Sequence, residues 1–461
     1  MSLLILFLVT SFNTPLYSAN AAEPLTLDAY LAQVESGNGV VNSAREGSEG
    51  ADLRSAEASL IYSPTFDAQA QWMDDKRQSP FLSYEKFINH SFEAGVSQAT
   101  PWGLRGKISY NLTQTGYIGL GRPIYYYGAP KIELSLELWR NLFGAETRAQ
   151  HDAIQAGALA AKFAKSYQAK ATRAAAESAY IQLAAARELD EVNRNSFERA
   201  KEIYDWNQRR ARLNLSEESD LFQAEANLES LRLSVQSSAD AVRSTSRAFN
   251  QARGVDSDEV TESLLLPDPK SVRIPERAQM RDDVRAARED QRAQAANAKI
   301  GNEKNKPSLQ IYGSYARNSQ QIEQNDAIKR SFDALQPTNV IGVRLNVPLA
   351  VGSSSDVRSG YAKERIAAEI LTESKLFNQE VDWKDLVQKL ADAKARLVVA
   401  EKLASIQKKK ATNERARLKK GRTTTYQSLI FETDYNQAEY RRIQTQSEVL
   451  NLLAQMKTFG G

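Results

Sequence analysis

The chain has 461 residues, and its 60 basic and 57 acidic side chains leave a formal net charge of +3 at pH 7. This balance gives no general affinity for nucleic acid, so no nucleic-acid partner is expected. The absence of cysteine excludes disulfides, thiolate metal sites and a lipid-bearing N-terminal cysteine. A mean hydropathy of −0.51 is low for a large aliphatic core and favours long helices in close contact.

The N-terminus has features of an export signal. A short apolar run at residues 3–9 is followed by Pro15 and by an A-x-A cleavage pattern at residues 19–21. No Lys or Arg precedes the apolar run, and a buried N-terminal helix or strand is the alternative. We expect residues 1–22 to be a signal peptide and the mature chain to begin near Ala22.

The remaining sequence contains two copies of one structural unit. Pro64 has a counterpart in Pro307, 243 positions later, whereas residues 132–136 match residues 341–345 at an offset of 209. Internal similarity of this kind indicates a repeated architecture. The decrease in the offset places an insertion of about 35 residues in the first half.

These offsets define the predicted domain organisation. The first structural repeat covers residues 23–253 and carries an inserted β-hairpin at about 88–122. A proline-punctuated connector follows at residues 254–278, and the second repeat covers residues 279–461. Each repeat is expected to contain a helix, two strands and a long helical hairpin.

Four short segments alternate between apolar and polar residues, which is typical of strands with one wet face. A soluble sandwich and a transmembrane barrel both have this pattern, and the many aromatic residues between positions 62 and 143 favour the barrel. Because an open sheet edge is unfavourable in lipid, barrel strands from one chain must close by oligomerisation. The apolar positions are Phe66, Ala68, Ala70, Trp72, Ile132, Leu134, Leu136, Leu138, Leu309, Ile311, Gly313, Tyr315, Ile341, Val343, Leu345 and Val347.

The insertion contributes two further alternating segments, at residues 92–98 and 104–113. Residues 101–103, Pro-Trp-Gly, join them and give a hairpin signal. The sequence leaves open whether this hairpin joins the barrel or decorates its outer rim. Outside the signal, no apolar run reaches the ~18–20 residues that a membrane-spanning helix needs.

Two very long helices are predicted. The first runs from Gly144 to a break at residues 213–216, and the second from Gly352 to a break at residues 420–421. Roughly 70 residues of helix span about 100 Å, so these helices need coiled-coil partners. A basic cluster precedes each break, and it either compensates the helix dipole or docks an acidic partner. The clusters are Arg209, Arg210 and Arg212, and Arg415, Arg417, Lys419 and Lys420.

With these features the chain resembles the TolC-like outer-membrane efflux protein family over nearly all of the mature sequence. The order, duplication and spacing of the segments carry the resemblance together. The matching segments are residues 25–31 and 281–287, Pro64 and Pro307, residues 134–138 with 142–144, residues 346–349 with 351–352, and the tip segments 220–225 and 421–432.

The resemblance implies a mainly α fold with β-strands. The duplicated long-helix hairpins of a homotrimer would form an α-barrel tunnel, and four strands per copy would form a shared twelve-stranded transmembrane β-barrel. It further implies a passive exit duct of a tripartite efflux or secretion system, docked to a periplasmic adaptor and an inner-membrane pump. The duct would lie in the bacterial outer membrane, contact its lipid and extend into the periplasm, without a cofactor or metal.

The resemblance also assigns residues at the tips of the two long hairpins. In TolC, acidic residues at the second tip ring the periplasmic constriction, but Gln427 and Ile430 stand at the matching positions here. Asp220 does match an aspartate of the first tip, so the expected constriction is Asp220, Gln427 and Ile430. The expected adaptor-docking residues are Leu213, Leu215, Ser216, Gly421, Arg422 and Thr423.

The alternative is a soluble periplasmic or cytoskeletal coiled-coil scaffold without channel activity. It accounts for the long helices but not for the four alternating segments. An enzyme is not expected, because the sequence contains no nucleophile–base or metal constellation. The two histidines, His90 and His151, lie in different predicted elements.

Overall fold

The computed structural model describes residues 24–77, 83–213 and 217–460, so the predicted signal peptide lies outside the described residues. The chain divides into two compact units. Among the described residues, the helical unit comprises residues 24–42, 170–213, 217–276 and 384–460, and the sheet unit comprises residues 43–77, 83–169 and 277–383.

Nine α-helices are present in the described part of the chain, and α4 and α8 reach 68 and 69 residues. The predicted long helices are therefore confirmed, and they end one residue before each predicted break. Among the described residues, no helix combines the length and apolar character needed to cross a membrane. The helices are α1 Leu27–Gly37, α2 Gly39–Arg54, α3 Glu57–Leu60, α4 Ala145–Arg212, α5 Glu218–Ala252, α6 Asp282–Lys304, α7 Gln324–Ser331, α8 Val351–Lys419 and α9 Thr425–Met456.

The core of the helical unit forms where α1 packs against α4 and α5. The ring centroids of Tyr30 and Phe249 are 4.1 Å apart and stacked, and the Tyr30 hydroxyl donates to the Phe249 carbonyl at 3.1 Å. Burial raises the pKa of the Tyr30 hydroxyl, and Arg253 opposes this only in part. Tyr180 of α4 donates to the Leu25 carbonyl at 2.7 Å, which fixes the start of the described chain against this core.

The sheet unit contains one antiparallel sheet with the strand order β1-β2-β3-β4-β5-β7, and β6 pairs with β4 beside this path. Pro64 and Pro307, the matched prolines of the two repeats, directly precede β1 and β5. The inserted strands β2 and β3 lie between β1 and β4, so the continuous path has six strands instead of four. The strands are β1 Thr65–Asp75, β2 Lys86–Ala99, β3 Leu104–Ile118, β4 Tyr125–Glu137, β5 Ser308–Arg317, β6 Ser319–Gln321 and β7 Pro337–Asn346.

The two faces of this sheet differ in polarity. Within the strands, the predicted apolar positions fall on one face and the polar positions on the other, because side chains alternate along each strand. Many large side chains of the apolar face are exposed to solvent, whereas an apolar side chain is normally most stable when buried. Its exposed large side chains include Phe66, Trp72, Phe92, Val96, Leu104, Ile108, Ile132, Leu134, Ile311, Tyr315, Ile341, Val343 and Leu345.

Residues 319–338, which connect β5 to β7, are rich in polar side chains and predict a loop, but the connection is more ordered than such a loop. It contains β6 and α7, and α7 packs on β3 and β4. The Tyr110 hydroxyl lies 3.1 Å from Ser331 Oγ, and the Tyr110 ring stacks on Phe332 at 5.8 Å. Gly128 is required here, because a Cβ atom would come within about 2.5 Å of the Tyr110 hydroxyl.

Candidate functional site at the helical hairpin tips

The tips of the two long hairpins belong to the helical unit. Four helices meet there in an apolar cluster of Ile203 from α4, Ala224 from α5, Leu418 from α8 and Leu429 from α9. The predicted tip residues are therefore brought close to one another by packing of all four helices. Leu215 and Ser216 lie outside the described residues.

The reversal between α8 and α9 is closed by a Schellman motif. The Gly421 N–H donates to the Leu418 carbonyl at 2.9 Å, and the Arg422 N–H donates to the Arg417 carbonyl at 2.9 Å. Gly421 has a φ of +66°, a conformation that costs a residue with a side chain about 1–2 kcal/mol. The glycine at this position therefore sets the direction in which the chain leaves α8.

A buried carboxylate supports the same reversal. Glu414 is only 5% exposed. It accepts a hydrogen bond from the Thr423 hydroxyl and another from Arg417 Nη1 at 3.0 Å. Arg417 also donates to the Arg422 carbonyl at 3.3 Å. Thr423, predicted to dock an adaptor, thus holds the turn together from within.

Helix α9 begins at a well-formed N-cap. Thr424 Oγ1 accepts from the Gln427 N–H at 3.2 Å, which satisfies one of the donors left free at a helix start. The next residue, Thr425, is buried and lies 2.8 Å from Asn207 Oδ1 of α4. Asn207 is fully buried and donates in turn to the Ile203 carbonyl at 2.9 Å. This pair connects the start of α9 to the end of α4.

The strongest electrostatic feature of the tips is Glu432 of α9. Its side chain is 9% exposed and accepts from Arg199 Nε at 2.8 Å and from Arg415 Nε at 2.8 Å. Arg199 also donates to Asn436 Oδ1 at 3.0 Å, and Asn436 lies 2.6 Å from Ser196 Oγ. One carboxylate therefore joins α4, α8 and α9 through two guanidinium groups.

Farther along α9, a second set of ionic contacts continues this pattern. Burial alone would lower the pKa of Arg442, but the hydrogen bonds that its guanidinium donates to Glu439 and Glu188 outweigh burial and raise the pKa. Burial raises the pKa of the Tyr435 hydroxyl, and the nearby charge of Glu439 adds to this. The α4–α9 contact is thus held by charged groups as well as by apolar packing.

Part of the basic cluster before each break lines a cleft of about 480 Å³ between α4 and α8. Arg210 stacks on Trp206 at 4.6 Å from the ring centroid. Arg415 and Arg417 are engaged inside the tip by Glu432 and Glu414. The cleft is lined by Glu202, Ile203, Asp205, Trp206, Arg209, Arg415, Leu418 and Lys419.

The first tip has a simpler geometry. Glu217 is the N-cap of α5 and makes no side-chain capping hydrogen bond, although Glu218 and Asp220 lie in the first turn, where acidic groups favour the helix dipole. Leu213 at the end of α4 is 67% exposed, and Phe222 is 61% exposed. This tip therefore presents apolar side chains at the surface of the described chain.

The three predicted constriction residues are all half-buried in the single chain: Asp220 in α5, and Gln427 and Ile430 in α9. Gln427 takes part in the α9 cap through its backbone, which leaves its side chain available for other contacts. Gly421 and Arg422 are exposed.

Solved structures share this architecture. The Campylobacter jejuni CmeC outer-membrane channel aligns with a TM-score of 0.67 at 16% identity, covering 98% of this chain and 94% of that one. The Vibrio cholerae outer-membrane protein VceC aligns with a TM-score of 0.65 at 16% identity, covering 94% and 96%. The open state of the Neisseria gonorrhoeae MtrE channel aligns with a TM-score of 0.64 at 16% identity, covering 94% and 89%.

The fold is that of the TolC-like outer-membrane channels. The resemblance found in the sequence is therefore confirmed at the level of the fold. No family profile and no curated protein matches the chain by sequence.

Within this TolC-like fold, the sequence did not predict the two buried carboxylates of the tips, Glu414 and Glu432. Glu414 and Arg417 stand three positions apart on one helix, and this spacing is a readable sign of an ion pair. Glu432 offers no such sign, because Arg199 lies 233 positions away in the chain. A carboxylate among the apolar positions of α9, opposite a basic cluster, is the only hint that the sequence contains.

Proposed function

We propose that three copies of this chain form a passive exit duct through the bacterial outer membrane. The duct would extend into the periplasm and dock to a periplasmic adaptor and an inner-membrane pump. In this arrangement the sheets of the three copies form a shared transmembrane barrel, and the long helices form the tunnel wall. The fold shared with outer-membrane channels supports this function.

The observation that carries the proposal is the state of the sheet. Its apolar face is exposed, with Phe66 at 72% and Ile341 at 88%. β1 and β7 end the strand path, so each has one side without a partner strand among the described residues. A lipid environment covers such a face, and a neighbouring copy pairs such an edge. A soluble coiled-coil scaffold explains neither feature.

Helix α8 provides a second incomplete surface. The described part of α4 has no large apolar side chain among the exposed ones, whereas α8 has twelve. Exposed apolar rows of this size mark an interface, and in the duct they meet the helices of the next copy. They are Val357, Tyr361, Ile366, Ile370, Leu371, Leu376, Phe377, Val381, Val387, Val398, Val399 and Ile406.

The tips are the proposed periplasmic mouth. Asp220, Gln427 and Ile430 line the constriction in this proposal, and three copies would contribute three carboxylates from Asp220 and none from Gln427. The adaptor docks on the exposed residues of the tips, with Leu213 and Phe222 as apolar contacts and Arg422 as a charged one. The substrate moves through the duct without a chemical step.

Fractionation of cell envelopes tests this proposal. The mature chain should be found in the outer membrane, should require detergent for extraction, and should migrate on gels as a trimer that heating dissociates. A deletion of residues 308–346 removes β5 and β7 and serves as the control, because it destroys the sheet while leaving the sequences of the long helices intact. Recovery of the full chain as a soluble periplasmic protein would instead support the scaffold.

A further inference from the structure

We infer that the inserted hairpin of β2 and β3 is part of the barrel wall, so that three copies form an eighteen-stranded barrel. The resemblance implied twelve strands, four from each copy. The inference rests on the proposed duct and specifies its width. It also identifies the surfaces that join: the β1 edge of one copy and the β7 edge of the next.

Backbone pairing places the hairpin inside the wall. β1 pairs with β2 along its full length, from Thr65 opposite Ser97 to Asp75 opposite Phe87. β3 pairs with β4 from Leu104 opposite Leu136 to Thr115 opposite Tyr125. Without the hairpin, the backbone groups of β1 and one side of β4 would lose these partners. In lipid, each unsatisfied group costs several kcal/mol.

The side chains of the hairpin also continue the apolar face of the sheet in register with the strands on both sides. Position by position, one apolar row crosses five strands, and its members are Phe66, Val96, Ile108, Ile132 and Tyr315. A register shift of one residue would turn every inserted side chain to the wrong face. The observed register therefore matches the hairpin to the wall on both of its sides.

The polar face shows the same continuity through side-chain contacts. Lys107 Nζ of β3 lies 2.5 Å from Glu93 Oε1 of β2. Lys107 also stands opposite Glu133 of β4 in the strand register. On the other side, Ser97 Oγ of β2 donates to Asp67 Oδ2 of β1 at 2.9 Å. On the face that would line the lumen, β2 thus makes polar contacts with both of its neighbours, and β3 places a basic side chain opposite an acidic one of β4.

The turn of the hairpin is anchored at the end of the sheet where α4 begins. Residues 100–103 form a tight turn in which the Gly103 N–H donates to the Thr100 carbonyl at 3.1 Å. Gly103 has a φ of +84°, and a Cβ atom on it would lie 2.9 Å from the Gly144 nitrogen. β2 and β3 therefore run to the helical end of the sheet instead of projecting from its outer rim.

A wider barrel follows from the higher strand number. Barrel diameter grows roughly linearly with the number of strands, so eighteen strands give a diameter about 1.5 times that of twelve. Barrels of 16–18 strands hold an aqueous channel. The lumen of the barrel is then wider than that of a twelve-stranded wall.

Disulfide cross-linking in this cysteine-free chain tests the strand order. The pair Gln69→Cys and Glu93→Cys stands directly opposite on β1 and β2 and should form a disulfide. In the twelve-stranded alternative, β1 would pair with β4 in the register in which β5 pairs with β7. The offsets of the sequence repeat would then place Glu133 opposite Gln69. With the hairpin in the wall, these two residues are separated by three strand spacings, roughly 14 Å, and are also displaced along the strands, because Gln69 lies level with Ala129. They are too far apart for a disulfide. A Gln69→Cys, Glu133→Cys disulfide would overturn the inference.

Closure between copies is tested with the same β1 position. Gln69→Cys is combined in turn with Thr338→Cys, Val340→Cys or Arg344→Cys on the polar face of β7. One combination should yield covalent trimers, and failure of all three would overturn the pairing of β1 with β7. The cross-links are scored in trimers extracted from the outer membrane. A protein recovered in soluble form would refute the proposed duct. A membrane trimer with the wrong cross-links would refute only the eighteen-stranded barrel.

Single cysteines on adjacent residues provide an independent readout. Phe92→Cys should react with a membrane-soluble maleimide and resist a water-soluble one, whereas Glu93→Cys should react with the water-soluble reagent. A hairpin on the outer rim would give both positions equal reactivity with the water-soluble reagent on intact cells. That labelling result would overturn the inference by itself, even if neither the Gln69–Glu93 nor the Gln69–Glu133 cysteine pair formed a disulfide.

Discussion

The two hairpin tips reverse the chain in different ways. Between α8 and α9, the Schellman turn at Gly421, the buried Glu414 and the Thr424 cap close the reversal with hydrogen bonds. At the start of α5, Glu217 makes no side-chain capping bond, and the apolar Leu213 and Phe222 are exposed. The second tip is thus built for rigidity, while the first offers the surface that a partner can cover.

The largest expected effect is at Glu432, because it joins three helices. Glu432→Ala leaves Arg199 and Arg415 without their carboxylate, and breaking such a buried pair costs about 3–5 kcal/mol. Amide hydrogen exchange at the ends of α4 and α8 should accelerate accordingly. Asp434→Asn is the matched control: its partner Lys410 is 3.5 Å away, both side chains are well exposed, and the loss should stay below about 1 kcal/mol. Equal effects would contradict the central role of Glu432.

Gly421→Ala tests whether conformation alone sets the second turn. A Cβ atom at Gly421 meets no atom within 4 Å, so the expected loss of about 1–2 kcal/mol comes only from the positive φ. Gly157 also has open space around its Cβ position but lies inside α4. There, replacement by alanine should stabilise the helix by roughly 0.5–1 kcal/mol. Opposite signs in the exchange-derived stabilities would confirm this reading, and a neutral Gly421→Ala would refute it.

Capping provides a direct contrast between the tips. Thr424→Ala should destabilise the start of α9 by about 1 kcal/mol, because the Gln427 N–H loses its acceptor. Thr424→Ser keeps the hydroxyl and should restore most of that stability. Glu217→Ala at the first tip should change the protection of α5 by only a few tenths of a kcal/mol, since helix-dipole effects are small at exposed sites. A loss at Glu217 as large as at Thr424 would remove the contrast.

The smallest effect concerns ion selectivity and follows from the proposed constriction. Asp220→Asn should reduce the cation preference of the duct in planar bilayers, and Gln427→Asp should increase it, because fixed charge in a narrow pore sets ion preference. If neither tip substitution moves the reversal potential under a salt gradient, these residues do not line the narrowest point.

Local rules explain why much of this fold could be predicted. The length of α4 and α8 follows from long stretches without proline, and the faces of the strands follow from period-two alternation. The same rules do not specify which strand pairs with which, so the place of β2 and β3 in the sheet was left open. The local rules also indicated a plain polar loop after β5. They missed α7, because the packing of its residues Ala327 and Ser331 depends on a glycine at position 128 of a distant strand.

The candidate site was less predictable, because its contacts also join residues that are far apart in the sequence. Asp220, Gln427 and Ile430 came from the resemblance, and their role stays a prediction. The buried pairs of Glu432 with Arg199 and of Thr425 with Asn207 join residues more than 200 positions apart. No spacing rule relates such positions, and only the packed structure shows that they are neighbours.

The pairing of β4 with β5 has a consequence for how the chain folds. Strands β1 to β4 pair with neighbours in sequence and can form as successive hairpins, but Ser308 meets Glu137 across 171 positions of chain. That contact requires closure of a large loop, and non-local pairing of this kind slows folding. Until the second half of the chain arrives, β4 offers an open edge to any other unfolded copy. Aggregation at this edge competes with correct assembly, so the chain should depend on a holding chaperone until the sheet is complete.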